Sequence, residues 1–469
     1  MNTKVNYKSK KRNLRAGRKN EEFQNSKQNQ SKGKQIVYQI QKTILHFFPD
    51  LYDRLNEFSD HRKRKHYEVI ELLMGGIVMF LFKEGSRNAM NNDRKEDKFS
   101  KNYLRLFKLH LPHMDAVDDL MSILKENELE GLKAAMVTAL IENHVFRRFK
   151  FLGKSYNITI DGTGIASYDK RHCSACQTKT SKTGKVTYFH NVIEAKLVTS
   201  SGFSISLATE WASNEGKQEY DKQDCELKAF VRIAEKIKHF FPRLPVLITA
   251  DGLYPNQTFF KICAKNNWDF IVTLQDKSLK TLQEEICSLK NIVGKGIRIF
   301  RAGKNHQTTC EYHYLNELEY KGIIVSWVEC IETTLNIKSG ITTVMRFAHL
   351  TNLEVNNETT VKVSDEGRLR WKIENEGFNT QKNEGYGLGH KFSRKNFNAM
   401  KNYYQCLQIA HIINQLAIKS KDINEILNRD KKFTIRKLWE RLRSFFVEID
   451  LVKSELIAHK TRKIQIRLI

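Results

Sequence analysis

Two aspartates stand where chemistry could gather. "ITIDGT" carries Asp161 and "LITADG" carries Asp251, each closing a run of apolar and β-branched residues. Strand side chains alternate, so Asn157, Thr159 and Asp161 share a polar face opposite Tyr156, Ile158 and Ile160. A lone aspartate before a glycine commonly just starts a turn. Two at the ends of neighbouring strands differ, because close carboxylates repel and a divalent cation is the natural compensation. A third carboxylate from a later helix would complete a two-metal site, which activates a water or hydroxyl and stabilises the leaving oxygen at a phosphodiester. The segment "RWKIENEGFN" offers Glu374 and Glu376. Two residues apart on a helix means roughly 200° of rotation, so both cannot face one site. Arg370 lies four residues before Glu374 and Lys372 four before Glu376, so spacing alone leaves the choice open.

The elements that must hold these acids follow from hydrophobic periodicity. "KSYNITID", "NVIEAKLVT" and "FSISLATE" predict three consecutive strands, and "DCELKAFVRIAEKIKHFF" a helix with Phe230, Ala234, Ile237 and Phe241 on one stripe. "PVLITADG" is the continuous apolar run of a fully buried strand, followed by a helix ("NQTFFKICAKNN") and a strand ("DFIVTL"). Three antiparallel strands, then a helix and a central parallel strand, put the first and fourth strands side by side with their terminal aspartates adjacent. Residues 151–289 therefore form the first part of an α/β core. Residues 290–353 are short, β-branched and aromatic between turn residues, a β-rich insertion. Residues 354–420 supply the second part of the core, where "SDEGRLRWKIENEGFN" predicts an acidic helix with Ser364 as possible N-cap.

Helical patterns flank this core. Residues 36–150 read as a helical DNA-binding domain with basic connectors such as "HRKRKH", and residues 421–469 as a C-terminal helical region. "VIELLMGGIVMFLF" contains Glu71 and is too short to span a bilayer, so it predicts a buried helix. Residues 1–35 are rich in Lys and Arg and poor in large apolar side chains, the composition of a disordered basic arm.

Lys and Arg total 79 against 53 Asp and Glu, a formal net charge of +26. Codon bias towards Lys, Asn and Ile contributes to composition but does not require such an imbalance. The excess costs self-repulsion and argues for a polyanionic partner, nucleic acid, and not a membrane. The opening residues lack the apolar core of a secretory signal. The eight cysteines are widely spaced except Cys173 and Cys176, so a reducing cytoplasm is expected.

The order of elements, with "ITIDGT", "LITADGLYPNQTFF" and "RWKIENEGFNTQK", resembles the DDE transposases of bacterial insertion sequences over about residues 150–415. The resemblance implies an RNase H-like mixed sheet with a β-rich insertion before the final acid. It implies Asp161, Asp251 and Glu374 as catalytic metal ligands, with Glu376 the competitor for the third place. The family's tyrosine–arginine–glutamate–lysine signature matches at Arg370 and Glu374, so Arg370 supports that acid or the DNA backbone. The tyrosine position is Gly367 and the lysine position Gln381, with Lys382 one residue further on as a terminal-phosphate contact. Two Mg²⁺ ions, for which Mn²⁺ can substitute, and a homodimer on double-stranded DNA are implied too. The activity expected is cleavage at element ends and strand transfer into target DNA. The rival expectations are a metal-dependent nuclease without transfer and an inactive DNA-binding relative.

Three further features have two readings each. Related enzymes use an aromatic in the insertion to stack a displaced base, which would fit Trp327 in "IIVSWVEC"; core packing among Ile and Val is the plainer account. His390, Lys391, Arg394 and Lys395 in "GLGHKFSRKNF" suit DNA phosphates or a solvated loop. Cys173 and Cys176 have metal-ligand spacing, with His190 downstream, but no second CxxC or HxxxH completes four ligands. Two reduced cysteines in a basic hairpin, without stoichiometric zinc, are expected there.

Overall fold

The computed structural model describes residues 32–62, 65–216, 224–293, 295–303, 305–393, 396–429, 433–452 and 468. Most of the basic arm, the centre of "HRKRKH", and Arg394 and Lys395 lie outside the described residues. The chain divides into two compact units, one of residues 1–129, 383–387 and 392–469, the other of residues 130–382 and 388–391.

The second unit is a mixed α/β body around a ten-stranded, mostly antiparallel sheet. Its strands are β1 (Tyr156–Tyr168), β2 (Gln177–Thr180), β3 (Val186–Val198), β4 (Ser204–Ala212) and β5 (Val246–Ala250). Then come β6 (Asp269–Thr273), β7 (Lys295–Ala302), β8 (His306–Tyr320), β9 (Ile323–Asn336) and β10 (Thr342–Thr351). They run in the order β2-β3-β1-β5-β6-β10-β9-β8-β7, with β4 also on β3. β1, β5 and β6 are parallel to one another, with Thr159 opposite Thr249 and Ile248 opposite Phe270. β5 is buried along its whole length, its one polar side chain, Thr249, being hydrogen-bonded to Thr159 and Asn157.

The predicted strands and helices around both aspartates are present, with three differences. β1 does not end at Asp161 but continues to Tyr168, paired with β3 from Leu197 down to Tyr188. β2 was not anticipated; four polar residues, Gln177–Thr180, carry no periodic signal. The β-rich segment is no separate layer, because β10 pairs with β6 and β7–β10 extend the core sheet itself. That segment buries Tyr312, Trp327 and Val328 against the core, whereas Phe300, Ile324 and Val344 stay exposed.

In the helical unit, "VIELLMGGIVMFL" forms the helix Val69–Leu81, buried along nearly its full length. Its buried Glu71 accepts from the backbone N–H groups of Glu68 and His110, which satisfies the charge without a counter-ion. Gly75 and Gly76 admit Pro112 and Met121 where a Cβ would stand 2.7 and 3.0 Å away. The helix Phe397–Ile418 packs against it and is buried on all faces from Asn402 to Ala417. The sequence boundary at 420 therefore cuts through this unit, since residues 397–418 join the N-terminal helices and not the sheet. Among the described residues no helix is long and apolar enough to cross a membrane.

Candidate active site

Asp161 sits where β1 loses one neighbour. Parallel pairing with β5 stops at Thr159 and Thr249, whereas pairing with β3 continues past Asp161, which is opposite Glu194. Asp251 follows β5 directly, so both aspartates emerge from the same end of two adjacent parallel strands. Below them the polar face predicted for β1 is a closed network. Thr159 and Thr249 hydroxyls meet at 2.7 Å, Thr249 donates to Asn157, and Asn157 donates to Glu366 at 2.8 Å. Each aspartate also fixes its own backbone: Asp161 Oδ1 accepts from Gly162 N–H, and Asp251 Oδ1 from Leu253 N–H.

The glycine after each aspartate answers to close approach. A Cβ on Gly162 would lie 2.5 Å from Glu226 Oε1, and one on Gly252 would lie 2.2 Å from Gln275 Cγ. Glu226, at the start of the helix Glu226–Phe240, is thus a fourth acid at the site, missed because nothing in "DCELK" distinguishes it from a helix-capping charge.

The third predicted acid comes from an irregular helix. The expected single helix over "SDEGRLRWKIENEGFN" is instead an α-helix, Thr360–Arg368, then a π-helical stretch, Ile373–Asn379. Ser364 is buried inside the first, so it is not the N-cap, which falls at Thr359. Gly367 lies where that helix presses on the sheet; a Cβ there would meet the His349 ring at 2.6 Å and Ile271 at 2.9 Å. No tyrosine fits that position. Ile373, Gly377 and Phe378 are the buried face of the π-helix, with Phe378 beneath the ammonium of buried Lys196. A π-helix inside a longer helical run is often a device for re-aiming side chains at functional sites.

This arrangement brings Asp161, Asp251, Glu374, Glu226 and Arg370 together. Arg370 Nη1 is 3.6 Å from Asp161 Oδ2. Burial chiefly pushes the Asp161 carboxyl up, with Asp251 and Glu374 adding to the rise; Gly162 N–H and Arg370 oppose it, and the result is about 6. Burial, then Asp161 and Asp251, push Glu226 up to about 7. Glu376 points elsewhere and pairs with Lys372 at 2.5 Å. Tyr254 is fully buried nearby, its hydroxyl without a hydrogen-bond partner and its ionisation suppressed first by burial and then by Glu226, Asp161 and Asp251. The acids act on one another, yet their oxygens do not all fall within 4.8 Å as a ready-made metal set would.

The acids folded in this way make the site pH-sensitive without metal. Folded-state values raised to about 6 and 7 mean the native state binds more protons than the unfolded chain between about pH 4 and 7. Stability from this source is complete at low pH and falls as pH rises through those values. In EDTA, Asp161→Asn should raise the melting temperature at pH 8 by about 1–3 °C, with the gain vanishing towards pH 4. A gain independent of pH would show that the carboxylate is not under electrostatic strain.

The other predicted residues are placed as follows. Lys382 is exposed on the short helix Thr380–Asn383, and no contact ties it to the acids. Trp327 is fully buried in β9, so it is closed to any base and packs the core. His390 is exposed, and Lys391 lies over the Tyr168 ring at 4.3 Å. An exposed aromatic lies beside Arg370 instead: Trp371, 53% accessible, with the Arg370 guanidinium over its ring at 4.5 Å. Its neighbour Arg370 drew attention; Trp371 itself carried no spacing signal. Cys173 and Cys176 are joined by His190, brought from β3.

Fold and site together define a mixed α/β protein with a carboxylate cluster where the parallel pairing of two strands ends. The cryo-EM structure of a piggyBac transposase synaptic complex with hairpin DNA is similar to this chain at a TM-score of 0.39 and 12% identity. The match covers 90% of this chain and 84% of that one. No family model matches the sequence, and no curated protein matches it.

Proposed function

We propose that the protein is a DNA transposase of the DDE type, cutting at the ends of its element and joining the freed 3′ hydroxyl to target DNA. The observation that carries this reading is the convergence of Asp161 and Asp251, from adjacent parallel strands, with Glu374 and Arg370. The strand order β4-β3-β1-β5-β6, three antiparallel and three parallel members sharing β1, supports the RNase H-like interpretation. The net charge of +26 supports a polyanionic substrate.

The residues present fit divalent cations. Hard oxygen donors dominate, the charge is under-compensated by Arg370 alone, and the orphaned Tyr254 hydroxyl adds a further oxygen. Asp161, Asp251 and Glu374 would hold two Mg²⁺, with Mn²⁺ able to substitute, and Glu226 stands ready as a further oxygen donor. When bound, the ions would supply activation of the attacking hydroxyl and stabilisation of the leaving oxygen. Arg370 holds the Asp161 carboxylate in place and offers a planar cation beside the acids, suited to a phosphate oxygen. Trp371 extends this edge as an exposed platform on which an unpaired base can stack. Binding to element ends proceeds as a homodimer, with Lys382, His390 and Lys391 as phosphate contacts at the margin.

The deciding experiment incubates purified protein, Mg²⁺ and DNA carrying the element's own ends, and analyses excision and strand transfer on a sequencing gel. Nicking without joined product would make the protein a nuclease; binding without nicking would make it an inactive relative. Trp371→Ala should weaken binding to single-strand-containing ends by about 1–3 kcal/mol and leave fully duplex ends almost unaffected. Equal binding of both substrates by the variant and the parent would remove the stacking role.

A further inference from the structure

Cys173, Cys176 and His190 converge well away from the acids. The two sulfurs are 3.7 Å apart, and His190 Nε2 is 3.5 Å from each. That spacing is too long for a disulfide, which needs about 2.05 Å. It is the spacing of three corners of a metal tetrahedron: Zn–S of about 2.3 Å and Zn–N of about 2.0–2.1 Å give edges of roughly 3.8 Å between sulfurs and 3.6 Å from sulfur to nitrogen. A pair of hydrogen-bonded thiols has no reason to hold both sulfurs at one distance from the same ring nitrogen.

The ligands reach this point from two separate pieces of chain. His190 is fixed by β3, opposite Ala166 of β1, and is fully buried. Cys173 and Cys176 lie in a turn closed by Cys176 N–H to Cys173 carbonyl at 3.3 Å, in the irregular link from β1 to β2. Asn214 braces that turn from beyond β4, donating its backbone N–H to Ala175 and its side chain to Cys176. Cys176 is buried and Cys173 half-buried, so one side of the tetrahedron faces solvent. Tyr168 stacks on His172 at 4.4 Å and meets the His190 ring edge-on, walling off the other side.

We propose that Cys173, Cys176 and His190 bind a zinc ion, with the fourth position filled from solvent. Two thiolates and an imidazole select a borderline-soft metal, whereas Mg²⁺ and Ca²⁺ demand oxygen. The ion is distinct from any cation held by the acids, since Ala166 lies five residues along β1 from Asp161, roughly 16 Å at strand rise. It ties the irregular link to β3 and so anchors the far end of the strand that carries Asp161. The expectation of a bare cysteine pair rested on the lack of a second CxxC or HxxxH to complete four ligands; that His190 closes on both sulfurs across a hairpin is not encoded in chain spacing. The proposal does not depend on the transposase reading.

The test measures metal by mass spectrometry in the full-length protein after dialysis against metal-free buffer. About one zinc per chain is expected, falling tenfold or more in Cys176→Ser and in His190→Ala but unchanged in Asp161→Asn. Because the ligand variants can misfold, the parent protein is also loaded with Co²⁺ alone. A sulfur-to-cobalt charge-transfer band with intense tetrahedral d–d bands is expected. Zinc content that survives the ligand substitutions, or is lost in Asp161→Asn, would overturn the proposal. So would a parent protein without zinc, or a cobalt spectrum lacking sulfur charge transfer.

Discussion

Asp161→Asn should abolish nicking and strand transfer, with a loss of about 10³-fold or more, while end binding stays within a few-fold of the parent. The substitution keeps side-chain size and the Oδ1 that accepts from Gly162 N–H, so the local backbone has no reason to move. What it removes is negative charge at the point where β1 leaves β5. That charge is held at a cost, its carboxyl raised to about 6 by burial and by the neighbouring acids. A strained carboxylate beside others is what a cation relieves, and the same relief explains why the variant should melt higher in EDTA yet gain less from Mg²⁺ than the parent. Binding survives because basic side chains elsewhere contact phosphates and supply most of the affinity, which should fall steeply with salt in parent and variant alike. Normal nicking by Asp161→Asn would reduce the residue to a local backbone fixer, and the metal reading would fail with it.

Glu226→Gln offers a graded comparison. Its carboxyl, pushed up to about 7, would stand 2.5 Å from a Cβ at Gly162, so it must shift before any side chain fits there. If it supplements the metal set, the loss should be smaller than for Asp161→Asn and partly restored by raising Mg²⁺ concentration. Titrating nicking rate against Mg²⁺ reads this directly, and a variant indistinguishable from the parent at every concentration would assign Glu226 to the helix start alone.

The parts of the fold that were legible in the sequence share one property: their burial is periodic. β5 reads as a buried strand because four of its five residues from Val246 to Ala250 are apolar, and all five, Thr249 included, are covered. The polar alternation of Asn157, Thr159 and Asp161 is legible because a real network lies beneath it. The extent of β1 was not, since Gly162 and Gly164 imitate a turn while the strand runs on. The glycine is there because Glu226 approaches, a contact between residues 64 apart that no local pattern encodes. Gly367 is the same case, emptied of a side chain by His349 and Ile271. The buried Trp327 and exposed Trp371 have equally apolar side chains; only the sheet's layering separates them. The union of residues 397–418 with the N-terminal helices also depends on long-range packing, invisible where both segments simply read as helix.

Glu374→Gln should match Asp161→Asn in its loss of activity, whereas Glu376→Gln should retain activity within about threefold. Spacing could not separate these residues, since each has a basic partner four positions earlier. The irregular helix separates them physically. Ile373, Gly377 and Phe378 pack inward, Gly377 so tightly that a Cβ would stand 2.9 Å from Ser204 Oγ, and this pins the rotation of the whole stretch. With that rotation Glu374 raises the Asp161 carboxyl, and Glu376 forms its ion pair with Lys372 instead. A half-buried i,i+4 pair of that kind contributes about 0.3–0.5 kcal/mol to stability, so Glu376→Gln should move the melting temperature little. Glu374→Gln, by contrast, removes one repulsive charge and should lower the pH at which Asp161 ionises, narrowing the pH-dependent stability gap between parent and Asp161→Asn. The paired measurement is nicking rate with melting temperature from pH 5 to 8 for both glutamine variants. An inactive Glu376→Gln beside an active Glu374→Gln would mean the π-helical stretch rotates on binding DNA and presents its other face to the acids.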